Sequence, residues 1–231
     1  MAEIEITASD GAGFAAYMAS PETGKGPGIL LIQEIFGVNA NMRQIADGFA
    51  AAGYVVLCPD LFWRQEPGVQ LTGNTQEEFQ RAFGLLEGFD MEKGIDDLKS
   101  TLTALRDLDA CTGKAGSVGY CLGGRLAYLM ATRSDADCNV SYYGVGIEGL
   151  LDEMKNISRP LLMHVAEEDQ FVPKDAQKSI LEAAGANALI TTHTYPGADH
   201  AFAREGGDHY EPDSAKLADG RTAAFFKTHL A

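Results

Sequence analysis

Residues 119–124, with the sequence GYCLGG, restrict the fold of this chain more than any other segment. They follow a strand-like stretch, 114–118, and precede a helix-like stretch, 122–132. A nucleophile at a sharp strand-to-helix turn needs glycines around it, because side chains two residues away would collide with the strand and the helix. The sulfur of Cys121 would lie at a helix N-terminus, where the dipole and free amides favour a thiolate or a developing oxyanion. Taken alone, the segment fits a catalytic cysteine and a small packing cysteine equally well.

The composition indicates one globular domain. At 231 residues and 45% hydrophobic content, the chain is long enough for one sizeable core and short for two, so we expect a single domain over residues 1–231. The sequence has no apolar run that approaches the length needed to cross a bilayer. Its N-terminus is acidic and lacks the basic and then apolar stretches of a secretory signal, which predicts a cytoplasmic protein.

The charge and the cysteines argue against several classes of partner. The four cysteines are Cys58, Cys111, Cys121 and Cys138. They form no C-x-x-C pair and no zinc-ligand spacing, so we expect neither a disulfide framework nor a metal site. A net charge of −15 argues against nucleic acid or an anionic membrane as a partner. The same charge repels an anionic substrate, which local arginines would then have to capture.

Apolar runs typical of buried strands alternate with stretches of helical periodicity over most of the chain. After an N-terminal hairpin over 4–7 and 14–19, the predicted strands are 28–33, 54–58, 114–118, 140–144, 160–166 and 188–195. The predicted helices are 41–52, 76–87, 94–108, 122–132, 174–184 and 214–230. This alternation predicts an α/β fold with a mostly parallel sheet and helices on both faces.

The order of polar residues after the later strands favours a catalytic triad. A cysteine nucleophile of acyl transfer needs a base, and the base needs an orienting acid. In α/β-hydrolases the acid and then the base follow the nucleophile, each on a loop at the carboxyl edge of the sheet. The predicted strand 160–166 runs into three acids at 167–169, and the strand 188–195 runs into a loop that contains His200. We therefore predict an α/β-hydrolase fold in which Cys121, His200 and one of these acids meet.

Each of these residues also has a simpler interpretation. A loop histidine such as His200 is by itself as often solvated as catalytic, and the acids at 167–169 also fit a solvated turn. His164 lies in mid-strand and is predicted to be a core histidine, whereas His193 lies in a partly exposed strand. His209 and His229 are predicted at the surface. The joint order of the elbow, the acids and His200 favours the catalytic interpretation over these alternatives.

Two backbone amides are expected to stabilise the oxyanion. One belongs to Leu122, the residue after the nucleophile, and the other to the loop after the third strand, where Ile35 is the natural donor. Glu34 would place a carboxylate beside this site. It is either a structural glutamate bonded to loop amides or an arginine, or a group that holds the Cys121 thiol neutral until a substrate arrives.

Several segments resemble the dienelactone hydrolase (carboxymethylenebutenolidase) family, and the resemblance runs through essentially the whole chain. They are QEIFGVN at 33–39, CPDL at 58–61, GYCLGG at 119–124, YYG at 142–144 and G-x-x-H-x-F at 197–202. The resemblance implies an α/β-hydrolase domain of eight strands that opens a dienelactone to maleylacetate without a metal or organic cofactor. It implies Cys121 as nucleophile, His200 as base and Asp169 as acid. It also implies that Glu34 accepts the thiol proton when the substrate enters.

The family binds its substrate carboxylate with two arginines, and only one is well matched here. Arg204, four residues past His200, fits the first. Arg81 is the only candidate for the second in the helix 76–87, although the alignment puts the family's arginine nearer Phe79. Phe36 and Tyr143 lie in the resembling segments and are predicted to contact the substrate.

The predicted function is the opening of a carboxylate-bearing dienelactone through a thioester on Cys121, in the degradation of aromatic compounds. One alternative keeps the site but changes the substrate to another lactone or a neutral ester, in a carboxylesterase or lactonase. A rival of another class is a protein that uses Cys121 as a redox or ligand-binding switch. We expect a monomer or a small homo-oligomer.

Overall fold

The computed structural model describes residues 2–231. Its strands are β1 (Ala2–Thr7), β2 (Gly13–Ala19), β3 (Gly26–Ile32), β4 (Val55–Pro59), β5 (Cys111–Tyr120), β6 (Asn139–Tyr142), β7 (Leu161–Ala166) and β8 (Ile190–Tyr195). Its α-helices are α1 (Ala40–Ala51), α2 (Gln76–Glu87), α3 (Met91–Asp107), α4 (Leu122–Arg133), α5 (Lys174–Gly185) and α6 (Pro212–Leu230). The elements predicted from the sequence are confirmed in type, with shifted ends. A 3₁₀ helix at Ile147–Asn156 was not predicted.

The chain divides into two compact units, Met1–Gly116 and Ser117–Ala231. In the first unit the strands lie in the order β1-β2-β4-β3. The pairs β1–β2 and β2–β4 are antiparallel, whereas β3 and β4 are parallel. The apolar runs of β3 and β4 are buried, and α1 and α3 pack against these strands. A continuous apolar strand is what a parallel sheet between packed helices requires.

Helix α3 shows how the sequence specifies the first unit. Asp90 caps its N-terminus by accepting hydrogen bonds from the amides of Glu92 and Lys93. Its apolar side chains recur at helical spacing and are buried: Ile95, Leu98, Leu102 and Leu105. Gly94 is packed against Phe89, since a Cβ there would come 2.3 Å from that ring. A helix with one apolar stripe and a capped start is thereby fixed against the sheet.

In the second unit the strands lie in the order β5-β6-β7-β8, and each neighbouring pair is parallel. Helix α4 packs against β6, α6 against β7, and α5 against β8. Most of the strand pairs within the two units are therefore parallel, as predicted. Parallel strands bring their carboxyl ends to one edge, which places the loops after β5, β7 and β8 side by side. Among residues 2–231, no helix is both long and apolar enough to span a membrane.

Candidate active site

Cys121 lies in the turn between β5 and α4 in a conformation that few side chains adopt. Its φ is 56°, and its amide donates to the carbonyl of Tyr142 at 3.1 Å. A Cβ at Gly119 would lie 2.0 Å from the carbonyl oxygen of Gly123, and one at Gly124 would lie 2.3 Å from that of Tyr142. A left-handed non-glycine residue costs about 1–3 kcal/mol. Glycine is thus required at both positions for steric reasons, and the backbone strain of the turn lies at Cys121.

Asp169 follows β7 and is buried. One of its oxygens, Oδ1, accepts a hydrogen bond from the amide of Phe171 at 2.9 Å. The other, Oδ2, lies 3.0 Å from Nδ1 of His200. The neighbouring acid Glu168 instead pairs with Lys174 at 2.9 Å, and its side chain is 58% exposed. Of the acids at 167–169, Asp169 is therefore the one that the structure brings to the histidine.

The imidazole of His200 lies between an acid and a thiol. Its side chain is 8% exposed, and it hydrogen-bonds to Asp169 and to the side chain of Cys121. Burial acts to lower the pKa of His200, but the charge of Cys121 and the bonds to both partners outweigh burial and raise it. This direction favours a protonated imidazole in the free protein. The arrangement provides the groups for nucleophilic attack and general base catalysis.

Two aromatic rings hold the imidazole in place. Tyr143 and Phe171 both pack edge-to-face against the ring of His200, at centroid distances of 5.1 and 4.8 Å and interplanar angles of 66° and 84°. Tyr143 is buried and also packs against Phe202 at 5.4 Å. The structure thus places Tyr143, predicted to contact the substrate, against the base. Phe171 was missed in the sequence, where its signal is an aromatic residue in a polar loop two positions after Asp169.

In the first unit, the segment 33–39 that follows β3 is fixed by its own polar side chains. Gln33 accepts a hydrogen bond from the amide of Leu61 at 3.1 Å and donates to the carbonyl of Glu34 at 3.2 Å. Glu34 and Ile35 are both buried. The segment therefore holds a buried carboxylate and a rigid backbone beside it.

The far end of this segment is equally constrained. Asn39 caps α1 by accepting from the amide of Met42 at 3.1 Å, and it donates to the carbonyl of Leu71 at 2.8 Å. Gly37 has a φ of 77°, and a Cβ there would lie 1.9 Å from the carbonyl oxygen of Val69. The glutamine, glycine and asparagine of the motif are thus explained by local structure.

The two predicted arginines differ in their surroundings. Arg81 forms an ion pair with Glu66, and these side chains are 50% and 47% exposed. Phe79, nearest to the position where the family has an arginine, packs edge-to-face against Phe36 at 5.3 Å. Arg204 is half-buried in the turn after His200, where its amide donates to the carbonyl of Ala201 at 2.9 Å. The guanidinium of Arg81 is thus engaged by a surface carboxylate.

The remaining histidines have structural explanations. His164 is 1% exposed, and its ring nitrogens lie 2.7 Å from the hydroxyl of Tyr195 and 2.9 Å from that of Thr222. Burial lowers the pKa of His164 to about 3, so it stays neutral. The predicted core histidine is confirmed. His209 and His229 lie in the predicted exposed loop and terminal helix. Within residues 2–231, no group of three or more His, Cys, Asp or Glu side chains is arranged to hold a metal ion.

Comparisons with known proteins agree with this architecture. A model described as the dienelactone hydrolase family matches residues 14–230. A protein of Azospirillum brasilense is 53% identical over 232 residues, covering 100% of both chains. The carboxymethylenebutenolidase of Pseudomonas putida is 40% identical over 222 residues, covering 96% of this chain and 94% of the relative. A crystal structure from Klebsiella pneumoniae has a TM-score of 0.86 at 27% identity, covering 98% of this chain and 97% of that one. The predicted α/β-hydrolase fold is confirmed.

Proposed function

Because this chain belongs to the dienelactone hydrolase family, and is therefore a hydrolase of carboxylic esters, we propose that it opens a carboxylate-bearing dienelactone to maleylacetate through a thioester on Cys121. The observation that carries the proposal is the series of carboxylate, imidazole and thiol formed by Asp169, His200 and Cys121, in which the first two are buried and the cysteine is partly exposed. As the resemblance implies, we propose that the reaction uses no metal or organic cofactor.

In the proposed first step, the sulfur of Cys121 attacks the lactone carbonyl. A carbon–sulfur bond forms, the ring carbon–oxygen bond breaks, and the leaving enolate takes up a proton to give the ketone of maleylacetate. The amide of Leu122 is proposed as the first donor to the developing oxyanion, which its position at the start of α4 supports. Ile35 is proposed as the second donor, and Glu34 as the acceptor of the thiol proton. These two roles rest on the resemblance and on the predicted order of the loops.

In the proposed second step, water hydrolyses the thioester. In the thioester the sulfur carries no charge, so a main cause of the raised pKa of His200 is absent and the imidazole can act as a base. His200 then takes a proton from the water, and the resulting hydroxide attacks the thioester carbonyl, so that the carbon–sulfur bond breaks and the Cys121 sulfur is restored. Asp169 would hold the Nδ1 proton and leave Nε2 as the base, which the 3.0 Å contact supports. The rings of Tyr143 and Phe171 that pack against the imidazole would keep it in that orientation.

We propose that Arg204 pairs with the substrate carboxylate, because it lies in the turn directly after the base. A neutral ester or lactone is a second candidate substrate. It is favoured by the contact between Phe79 and Phe36, which puts an apolar pair where the family has an arginine, and by the ion pair of Arg81 with Glu66. In that case the enzyme is a carboxylesterase or lactonase with the same chemistry.

We further propose that residues 1–231 act as one domain in the cytoplasm, in the degradation of aromatic compounds. The expected form is a monomer or a small homo-oligomer that acts on small molecules, without nucleic-acid or membrane partners. The net charge of −15 supports the last point.

A panel of lactones and esters, each with and without a carboxylate, tests the function on purified protein. Dienelactone turnover by the wild type and none by Cys121→Ala, with unchanged circular dichroism, is the expected result. Turnover that survives in Cys121→Ala contradicts the proposed mechanism. Absence of ester hydrolysis together with rapid alkylation of Cys121 near neutral pH would instead favour the redox or ligand-binding rival.

A further inference from the structure

The carboxylate of Asp199 lies next to the base and joins two loops. Its Oδ1 accepts hydrogen bonds from the amide of Gln170 at 3.0 Å and from the amide of His200 at 2.6 Å. Its Oδ2 accepts from the side-chain amide of Gln170 at 3.3 Å and lies 3.3 Å from Nδ1 of His209. One oxygen atom therefore binds the amide that follows Asp169 and the amide of His200 itself.

This contact continues the pairing of β7 and β8 beyond the point where the strands end. Backbone hydrogen bonds connect the two segments just beyond the strands. The amide of Glu167 donates to the carbonyl of Tyr195 at 3.2 Å, and the amide of Glu168 donates to the carbonyl of Ala198 at 2.8 Å. At the next positions the connection is made by the carboxylate of Asp199. A short side-chain acceptor of this kind can satisfy amides that lie outside a regular ladder.

The loop that carries the base has a reason to need such a connection. Gly197 and Ala201 both have positive φ, 74° and 62°, so left-handed residues lie on each side of His200. For Ala201 this conformation is unfavourable by about 1–3 kcal/mol. The two amide hydrogen bonds to Oδ1 are made by a side chain that is only 27% exposed. These hydrogen bonds can stabilise a backbone conformation that the residues of the loop do not favour by themselves.

We infer that Asp199 is a positioning residue that sets the distance between Asp169 and His200 by tying together the two loops that carry them. This inference extends the proposed function, and its expected effects on kcat rest on that function. The geometric part does not depend on the substrate: without Asp199, the 3.0 Å contact between Asp169 and Nδ1 of His200 loosens.

Three substitutions separate the geometry of Asp199 from its charge. Asp199→Asn keeps an oxygen that can accept from both amides, Asp199→Glu keeps the charge but moves it by one methylene, and Asp199→Ala removes the acceptor. We expect kcat to fall about 10- to 100-fold in the Ala and Glu variants, because a misplaced catalytic group costs on the order of 100-fold. In Asp199→Asn we expect kcat to stay within about threefold of the wild type, and KM to change little in all three.

Proton NMR gives a readout that a purely structural role would not change. The Nδ1 proton of His200 bound to Asp169 should give a low-field resonance in the wild type and in Asp199→Asn, and this resonance should broaden or vanish in Asp199→Ala and Asp199→Glu. If Asp199→Ala fails to fold, the Asn and Glu variants carry the comparison. Glu168→Ala is the matched control, since it removes an exposed carboxylate of the same loop, and it should resemble the wild type.

The inference is overturned if all three variants keep the wild-type kcat and resonance. It is also overturned if Asp199→Asn and Asp199→Ala lose activity while Asp199→Glu keeps it, because the charge of Asp199, and not its position, would then explain the effect. A wild-type protein without lactone or ester turnover would contradict the proposed function. The NMR comparison would still decide whether Asp199 positions His200, so the two failures are distinguishable.

Discussion

The segment 33–39 and the loops that carry Asp169 and His200 use polar side chains in opposite ways. In the first, Gln33 and Asn39 bind the backbone around them, so the most distinctive motif of the first unit largely specifies its own conformation. In the second, Asp169 and His200 bind each other. Segments that are specific to a family therefore contain two kinds of residue: those that stabilise the local backbone and those that contact other catalytic side chains. The contacts of each side chain in the structure distinguish the two kinds.

The largest effect should come from the second region, through Asp169. Asp169→Asn keeps the shape of the side chain but favours the wrong imidazole tautomer, and we expect kcat to fall by about 10⁴-fold. Steady-state kinetics on the best substrate measures this. Glu168→Gln, in the same loop, should change kcat by less than about twofold. Equal losses of kcat in the two variants would contradict the conclusion that Asp169, and not Glu168, is the partner of the histidine.

A smaller effect is expected at the proposed carboxylate site. Arg204→Ala should lower kcat/KM for an anionic lactone by about 30- to 100-fold, as expected for loss of a charged hydrogen bond, and mainly through KM. A neutral ester of similar size should be hydrolysed almost as before. Arg81→Ala should have the weaker effect, because its guanidinium pairs with Glu66 at the surface. Equal losses on both substrates would remove Arg204 from this role.

In the first region, the loss of Asn39 should change stability and not rate. Asn39→Ala removes the cap of α1 and the bond to Leu71, and we expect the free energy of unfolding to fall by about 1–3 kcal/mol. Urea denaturation measures this, with the exposed Asn74→Ala as control. The kcat of the folded fraction should stay within about twofold. A large loss of kcat without a loss of stability would erase the contrast between the two regions.

The finest test concerns protonation. The pKa of His200 is raised from 6.5 to about 10, so the imidazole should stay protonated well above neutral pH and lose its proton as the pH rises towards 10. In Cys121→Ala a main cause of the increase is absent, and the pKa should fall. NMR titration of labelled histidine measures both. A wild-type imidazole that is already neutral at pH 7 would contradict this prediction.

The type and order of the predicted elements could be read from the sequence, because strands that are buried on both faces appear as continuous apolar runs. The sequence misjudged where α3 begins: Gly94 reads as a boundary but is an interior residue that Phe89 packs against, and the helix starts at Met91. The 3₁₀ helix Ile147–Asn156 was missed, since a tight helix lacks the 3.6-residue pattern that marks an α-helix.

For the site, the order of nucleophile, acids and histidine could be predicted from the sequence, but the partner of each could not. Spacing left three acids open, and the family resemblance favoured Asp169. The contact of Arg81 with Glu66 and the bridging by Asp199 depend on how loops distant in sequence meet. No periodicity or local motif encodes such contacts.

Trapping the intermediate tests the central claim most directly. In His200→Asn the base for hydrolysis is missing, so a lactone or activated ester that still acylates the enzyme should leave its acyl group on the sulfur. Mass spectrometry after a rapid acid quench should find one added acyl group on the peptide that contains Cys121, and none in His200→Asn combined with Cys121→Ala. An acyl group on another residue, or turnover by wild-type protein that continues with Cys121 replaced by alanine, would contradict the account.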